Sequence, residues 1–165
     1  MLTKTPPLIL EGPDNIGKTT AAQTLVKMTG WSYHHMTKPP DEWDYHHDYL
    51  ARIQPERIWD RFHLGGWVYG ELLQLHRTKY TQHTLKSLIA ELRKLGARTI
   101  LMFAHNFSWF EDHIDANPKE EMFSRENVIA ANARYRSMAN YRFADIIWDV
   151  SDRGFPSQRD MENWL

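Results

Sequence analysis

The chain has no cysteine among its 165 residues. That one absence excludes disulfides, thiolate nucleophiles and cysteine-type zinc sites together, and it fits a reducing compartment. A cytoplasmic location is therefore the expectation. No apolar run approaches the ~18 residues of a membrane span, so no membrane partner is expected. Met1 to Pro7 lacks the apolar centre of a signal peptide. An excess of charge is also missing: 20 Lys and Arg face 21 Asp and Glu, for a formal net charge of −1. This balance argues against a polyanion-gripping surface, and so against nucleic acid as the main partner. Neither repeats nor low-complexity segments are present. The length suits one domain, residues 1–165, with a sizeable core.

What is present begins at Gly12-Pro13-Asp14-Asn15-Ile16-Gly17-Lys18-Thr19, which fits G-x-x-x-x-G-K-[ST] without a mismatch. Leu8-Ile9-Leu10 before it has strand character. Thr20 to Thr29 after it puts Ala21, Ala22, Leu25 and Val26 on one helical face, with Gly30 as a stop. Strand, glycine loop, helix is the context of a phosphate-binding loop. Glycines let successive N–H groups turn inward toward an anion, and the helix N-terminus adds partial positive charge. Gly12, Asn15, Ile16, Gly17, Lys18, Thr19 and Thr20 are the candidate nucleotide-binding residues. Lys18 is a point charge for the β- and γ-phosphates, and the Thr19 hydroxyl is a candidate Mg²⁺ ligand. The bland alternative is an unoccupied glycine turn.

The rest of the chain alternates strand and helix patterns. Strands are expected at Trp31–Thr37, Arg57–Asp60, Arg98–Ala104 and Asp145–Val150. Helices are expected from an Asp41 cap to about Ile53, over Leu64–Leu75, over Leu85–Leu95, from a Ser108 capping box, and from Ser124 through Met138. Gly65, Gly66 and Gly70 inside one helix suggest close approach of a ligand or another helix, or a frayed first turn. The polar stretch Asp115 to Phe123 reads as mobile. The tail carrying Met161, Trp164 and Leu165 is expected to pack back. The fold class follows: α/β, a five-stranded parallel sheet with helices on both faces. Ligands in such folds sit beyond the carboxyl ends of the strands. The glycine loop, Thr37-Lys38, Asp60-Arg61, Ala104-His105 and Ser151–Arg153 should therefore surround one crevice. Arg153 is a candidate cofactor contact from this placement.

Asp60-Arg61-Phe62 is the second informative stretch. A carboxylate at the end of a strand can hold Mg²⁺ or accept a proton, and the adjacent arginine can grip phosphate with its planar fork. His34-His35 and His46-His47 suggest a metal by count alone, but adjacent histidines on a strand face opposite ways. Trp43, Tyr45, Tyr49, Phe62, Trp67 and Tyr69 cluster near this stretch, as core or as base-stacking surface.

With these pieces in place, the chain resembles the thymidylate kinase family of nucleoside monophosphate kinases, in a short form, with deoxynucleoside kinases next. Leu10-Glu11 through Thr20 and Asp60-Arg61-Phe62 carry the resemblance. Asn132–Arg136, Asp149-Val150-Ser151 and Thr37-Lys38-Pro39 match more loosely. The resemblance implies the P-loop kinase fold and ATP- and Mg²⁺-dependent phosphoryl transfer to a deoxynucleoside monophosphate, dTMP or a relative, giving the diphosphate. It implies Asp14 on the acceptor sugar, Arg61 on the acceptor phosphate and Asp60 near Mg²⁺. Lys38, Phe62 and Trp67 join them as candidate acceptor contacts, and residues 115–125 match a lid over ATP. Lys18, Asp60, Arg61 and Arg125 form the candidate catalytic set; Arg125, Arg134 and Arg136 compete for the transition-state arginine. Asp60 or Glu11 could act as base if the acceptor were a hydroxyl. A small nucleotide acceptor is the expected partner, with a homodimer left open. Alternatives are a deoxynucleoside kinase, a kinase of a nucleic-acid hydroxyl, and a non-catalytic nucleotide-binding module.

Overall fold

A computed structural model describes residues 5–37, 43–73, 81–118 and 123–165. Five strands form the sheet: β1 (Leu8–Glu11), β2 (Ser32–His35), β3 (Arg57–Asp60), β4 (Arg98–Phe103) and β5 (Ile146–Asp149). Every neighbouring pair is parallel, in the order β2-β3-β1-β4-β5. Between and after them run α1 (Lys18–Thr29), α2 (Tyr45–Arg52), α3 (His63–Leu72), α4 (Gln82–Lys94), α5 (Phe107–Ala116), α6 (Arg125–Ala139), α7 (Val150–Arg153) and α8 (Gln158–Glu162). The expected fold class is the observed one. No described helix is long and apolar enough to cross a membrane.

Side-chain alternation along the strands builds a core on each face of the sheet. Ile9, Trp59, Leu101 and Phe103 point to one side and are covered by buried residues of α2, α3, α4 and α6. Leu8, Leu10, Ile58, Ile100 and Met102 point to the other, where Ala21, Ala22 and Leu25 of α1 pack beside Phe110, Met161 and Trp164. The tail packs back through Met161 and Trp164, whereas Leu165 is exposed. The inward face expected of the long helix is also observed: Val128, Ala131, Tyr135 and Met138 are all buried.

Helix starts differ from expectation where a nearer cap wins. α2 begins after Asp44, whose carboxylate accepts from His47 N at 3.0 Å; the anticipated cap, Asp41, lies outside the described residues. α5 begins after Asn106, which accepts from Trp109 N at 3.1 Å, so Ser108 lies inside the first turn and is not the cap. Ser124 caps α6 as expected. Gly66 answers the question of the three helical glycines at one position. It faces Tyr49 of α2, so the close approach there is of another helix.

β1 lies between β3 and β4, and the chain crosses to opposite sides of it. The carboxyl end of β1 is thus the point where strand order reverses, and such points open a crevice.

Candidate active site

The loop leaving β1 fills that crevice. Gly12 adopts φ +150°, and a Cβ there would fall 2.1 Å from the Met102 carbonyl oxygen of β4, so only glycine fits. Gly17, at φ +95°, caps α1 without a side-chain hydrogen bond, and the first turn of α1 holds no acidic residue. The first N–H groups of α1 are therefore left for a ligand, at the positive end of the helix dipole.

Lys18 is 4% exposed, and its Nζ donates to Pro13 O at 2.5 Å. Burial lowers its pKa to about 8. The Arg61 charge pushes the same way, against the pull of Asp14, Asp60 and Glu11. Thr19 Oγ1 donates to Asp60 Oδ2 at 2.5 Å, and Tyr33 donates to the same oxygen at 3.0 Å. His35 Nδ1 lies 3.4 Å from it. Burial works to raise the Asp60 pKa, but Lys18 and the Thr19 and Tyr33 hydroxyls outweigh it and hold the carboxyl below its ordinary value. Its other oxygen, Oδ1, is buried without a hydrogen-bond partner. A threonine hydroxyl beside an ionised carboxylate with an orphaned oxygen is the hard-oxygen donor set that Mg²⁺ prefers, so the residues present fit that ion.

Arg61 faces the loop from the turn between β3 and α3. Its backbone is left-handed, φ 64°, and its guanidinium pairs with Asp14. The Asp14 N–H in turn donates to Tyr69 Oη at 3.3 Å. From the side of α5, Asn15 Nδ2 donates to Asn117 O at 2.8 Å, and His113 Nε2 lies 2.9 Å from Asn15 O. α5 is thereby docked on the loop itself. Arg125 makes a two-point pair with Asp115, at 2.7 and 2.9 Å, on the exposed surface.

One cleft of about 340 Å³ collects these groups. The loop contributes Asp14, Asn15, Gly17 and Lys18; α1 adds Thr19 and Thr20; Arg61 and Arg125 approach from other elements. Asp60 sits beneath Thr19, fully buried. Gly12 and Ile16 support the loop from inside, Ile16 at 2% exposure in the core.

Three expected contacts are not brought to the cleft. Phe62 is 1% exposed, with Tyr49 and Trp59 at ring distances of 4.7 and 4.9 Å, because the left-handed turn at Arg61 points the next side chain into the core. Trp67 is half-buried against the same core. Arg153 lies over the Trp148 ring, 4.7 Å from its centre. Arg134 pairs with Glu71, and Arg136 lies against His105 and Phe107, both outside the cleft. Lys38 falls outside the described residues.

Other residues join the cleft that the sequence did not single out for it. His35 enters from β2, and Phe123, just before the Ser124 cap of α6, stacks on Tyr69 at 4.4 Å and 13°. Glu11, which precedes the loop, is fully buried and does not line the cleft. Its Oε1 accepts from Phe62 N at 3.0 Å and Leu64 N at 2.8 Å, and its Oε2 from Gly65 N at 3.1 Å. Burial raises its pKa to about 7 against those N–H groups and the Lys18 charge.

No family model and no curated protein sequence matches the chain. Solved structures do. The chain is similar to the YorR protein of Bacillus subtilis, solved in complex with phosphorylated GDP, with a TM-score of 0.65 and 22% identity over 95% of this chain and 92% of that one. It is similar to deoxyadenosine kinase of M. mycoides with bound dATP, with a TM-score of 0.55 and 14% identity over 95% of this chain and 96% of that one. The same kinase with the products dCMP and a flexible dCDP gives a TM-score of 0.52 at 14% identity, over 95% of both chains. The likeness spans nearly the whole of each chain and is one of fold: the five-stranded parallel α/β sheet of P-loop nucleoside and nucleotide kinases.

Proposed function

We propose that the protein transfers the γ-phosphoryl group of ATP, with Mg²⁺, to a deoxynucleoside monophosphate, dTMP or a relative, giving the diphosphate. The observation that carries the reading is a single cleft lined by Lys18 and Thr19 on one side and the Arg61–Asp14 pair on the other. In this reading the loop N–H groups and Lys18 hold the donor phosphates. An acceptor phosphate oxygen forms a bond to the γ-phosphorus as the bond to the β-phosphate bridging oxygen breaks, and ADP leaves. Thr19 and Asp60 would hold Mg²⁺, which when bound neutralises charge on the transferring phosphates. Arg61 grips the acceptor phosphate with its fork, and Asp14 accepts from the acceptor sugar. Arg125 serves the transferring group after leaving Asp115; an exposed ion pair contributes little, so the exchange costs little.

The choice of a phosphate acceptor over a hydroxyl rests on the carboxylates. Asp14 and Asp115 are the carboxylates lining the described cleft, and each is held by an arginine. Glu11 is committed to backbone N–H groups away from the cleft. A hydroxyl acceptor needs a base, whereas a phosphate acceptor is already anionic. A second reading, a deoxynucleoside kinase, draws support from the likeness to M. mycoides deoxyadenosine kinase.

Steady-state kinetics on matched pairs of deoxynucleosides and their monophosphates, with Arg61→Lys alongside, test the choice. Wild type should prefer monophosphates, and the variant should lose acceptor affinity and rate while ATP binding changes little. A clear preference for nucleosides would overturn the first reading in favour of the second.

A further inference from the structure

We propose that Glu11 is a positioning residue for Arg61: from the end of β1 its carboxylate fixes the turn that aims the arginine into the cleft. The inference rests on the reading of Arg61 as the acceptor-phosphate arginine.

α3 starts without help from its own sequence. Its cap residue, Phe62, offers no side-chain acceptor. The first N–H groups of a helix need partners, and a buried N–H without one is costly. Glu11 meets that need from 51 to 54 residues earlier in the chain, taking Phe62 N and Leu64 N on one oxygen and Gly65 N on the other. An anion at a helix N-terminus is also favoured by the dipole.

The geometry ties this cap to Arg61. The arginine holds a left-handed backbone, a conformation a non-glycine residue keeps only when its surroundings impose it. Both sides of that residue are pinned to the last two residues of β1. Arg61 N donates to Leu10 O at 2.9 Å, and Phe62 N donates to Glu11 Oε1. Gly12 follows Glu11 directly, so one strand end anchors both the donor loop and the acceptor arginine. If the Phe62 anchor is released, Arg61 can relax toward ordinary backbone angles, and its guanidinium then leaves the acceptor side of the cleft. The donor loop has its own support in Met102 and Ile16 and should stay.

The test uses Glu11→Asp, which keeps the charge but is one methylene too short to reach all three N–H groups. Glu11→Gln serves as a milder variant that keeps the length. Met161→Ala, in the opposite core, controls for lost stability. Three quantities are read in the full-length protein: amide exchange at Phe62, Leu64 and Gly65, KM for dTMP, and Kd for a fluorescent ATP analogue. Glu11→Asp should speed exchange at the three amides and raise KM for dTMP about 10- to 100-fold, the scale of an ångström-level misplacement. Its ATP-analogue Kd should stay within about 2-fold of wild type, and Glu11→Gln should move the same quantities in the same direction. In an Arg61→Lys background the KM effect of Glu11→Asp should vanish, because the group it positions is already gone. Met161→Ala should lower the unfolding midpoint without moving KM. Unchanged amide exchange would overturn the inference by itself, whatever the substrate. So would parallel losses of ATP and acceptor binding, or an undiminished KM effect in the Arg61→Lys background. A wild-type protein that phosphorylates no monophosphate would instead remove the reading of the acceptor, and this inference with it.

Discussion

Gly66→Ala should destabilise the protein, and it should do so only while Tyr49 keeps its hydroxyl. A Cβ on Gly66 would sit 2.8 Å from Tyr49 Oη but 3.9 Å from the ring carbon that carries it. The hydroxyl cannot swing clear. Tyr49 is fully buried, its ring meets Phe62 at 4.7 Å and Trp43 at 5.5 Å, and its hydroxyl donates to Phe62 O at 3.1 Å. Overpacking of this kind costs about 1–3 kcal/mol. Replacing glycine by alanine within a helix returns about 1 kcal/mol. The expected net loss is therefore about 0–2 kcal/mol. With Tyr49→Phe the obstructing oxygen is gone and the new methyl meets ordinary contacts, the nearest being Tyr45 Cε1 at 3.5 Å. In that background Gly66→Ala should stabilise by up to about 1 kcal/mol. Tyr49→Phe alone should cost about 1 kcal/mol for its hydrogen bond. Urea unfolding of the four proteins of this double-mutant cycle measures the effect. The same sign for Gly66→Ala in both backgrounds would refute the packing argument.

Two further outcomes follow from the buried charges. Lys18→Ala should lower transfer by at least about 100-fold, on the scale of removing one preorganised electrostatic group, while circular dichroism shows an unchanged fold; turnover near wild type would remove Lys18 from the phosphate site. Glu11, raised to about 7 in the folded state against an ordinary 4.5, binds its proton more tightly when folded. Its contribution to stability is thus fully present below pH 4.5 and is lost as pH rises through 7, a change on the order of 3 kcal/mol. Buried His63, its pKa lowered to about 3 by burial, adds an opposite slope below pH 6.5 to wild type and variant alike, so the readout is the difference between the two. The unfolding free energy of wild type relative to Glu11→Gln should fall from pH 4.5 to 8, and a difference that stays constant would refute it.

The sheet and the glycine loop were legible because local pattern sets them. Arg57–Asp60 is observed at its expected bounds, and the apolar run Arg98–Ala104 yields a strand one residue shorter. The motif at Gly12–Thr19 places its lysine and threonine in the cleft because glycine geometry and the helix start are local properties. What was hidden depends on partners distant in the chain. Glu11 reads as a candidate base, yet its partners lie more than fifty residues away. Phe62 reads as a substrate contact because it adjoins Asp60-Arg61, and the positive φ at Arg61 sends it inward. Ser108 reads as the cap of α5, yet Asn106, two residues earlier, takes that role by accepting from Trp109 N. Phe155, nearly half exposed at 45%, lies against Gly17, a contact no local pattern announces.

The central place of β1 has a consequence for how the chain is made. Leu8–Glu11 is buried at every position and pairs with Ile58–Asp60 on one side and Arg98–Leu101 on the other. During synthesis it emerges first and waits for both partners. The second follows about 90 residues later, about 5–20 s at ordinary elongation rates. Over that interval an apolar strand with at least one edge unpaired is exposed on the nascent chain, a surface that invites chaperones or aggregation. Synonymous codon changes that slow translation between β3 and β4 should therefore lower soluble yield without altering the finished protein.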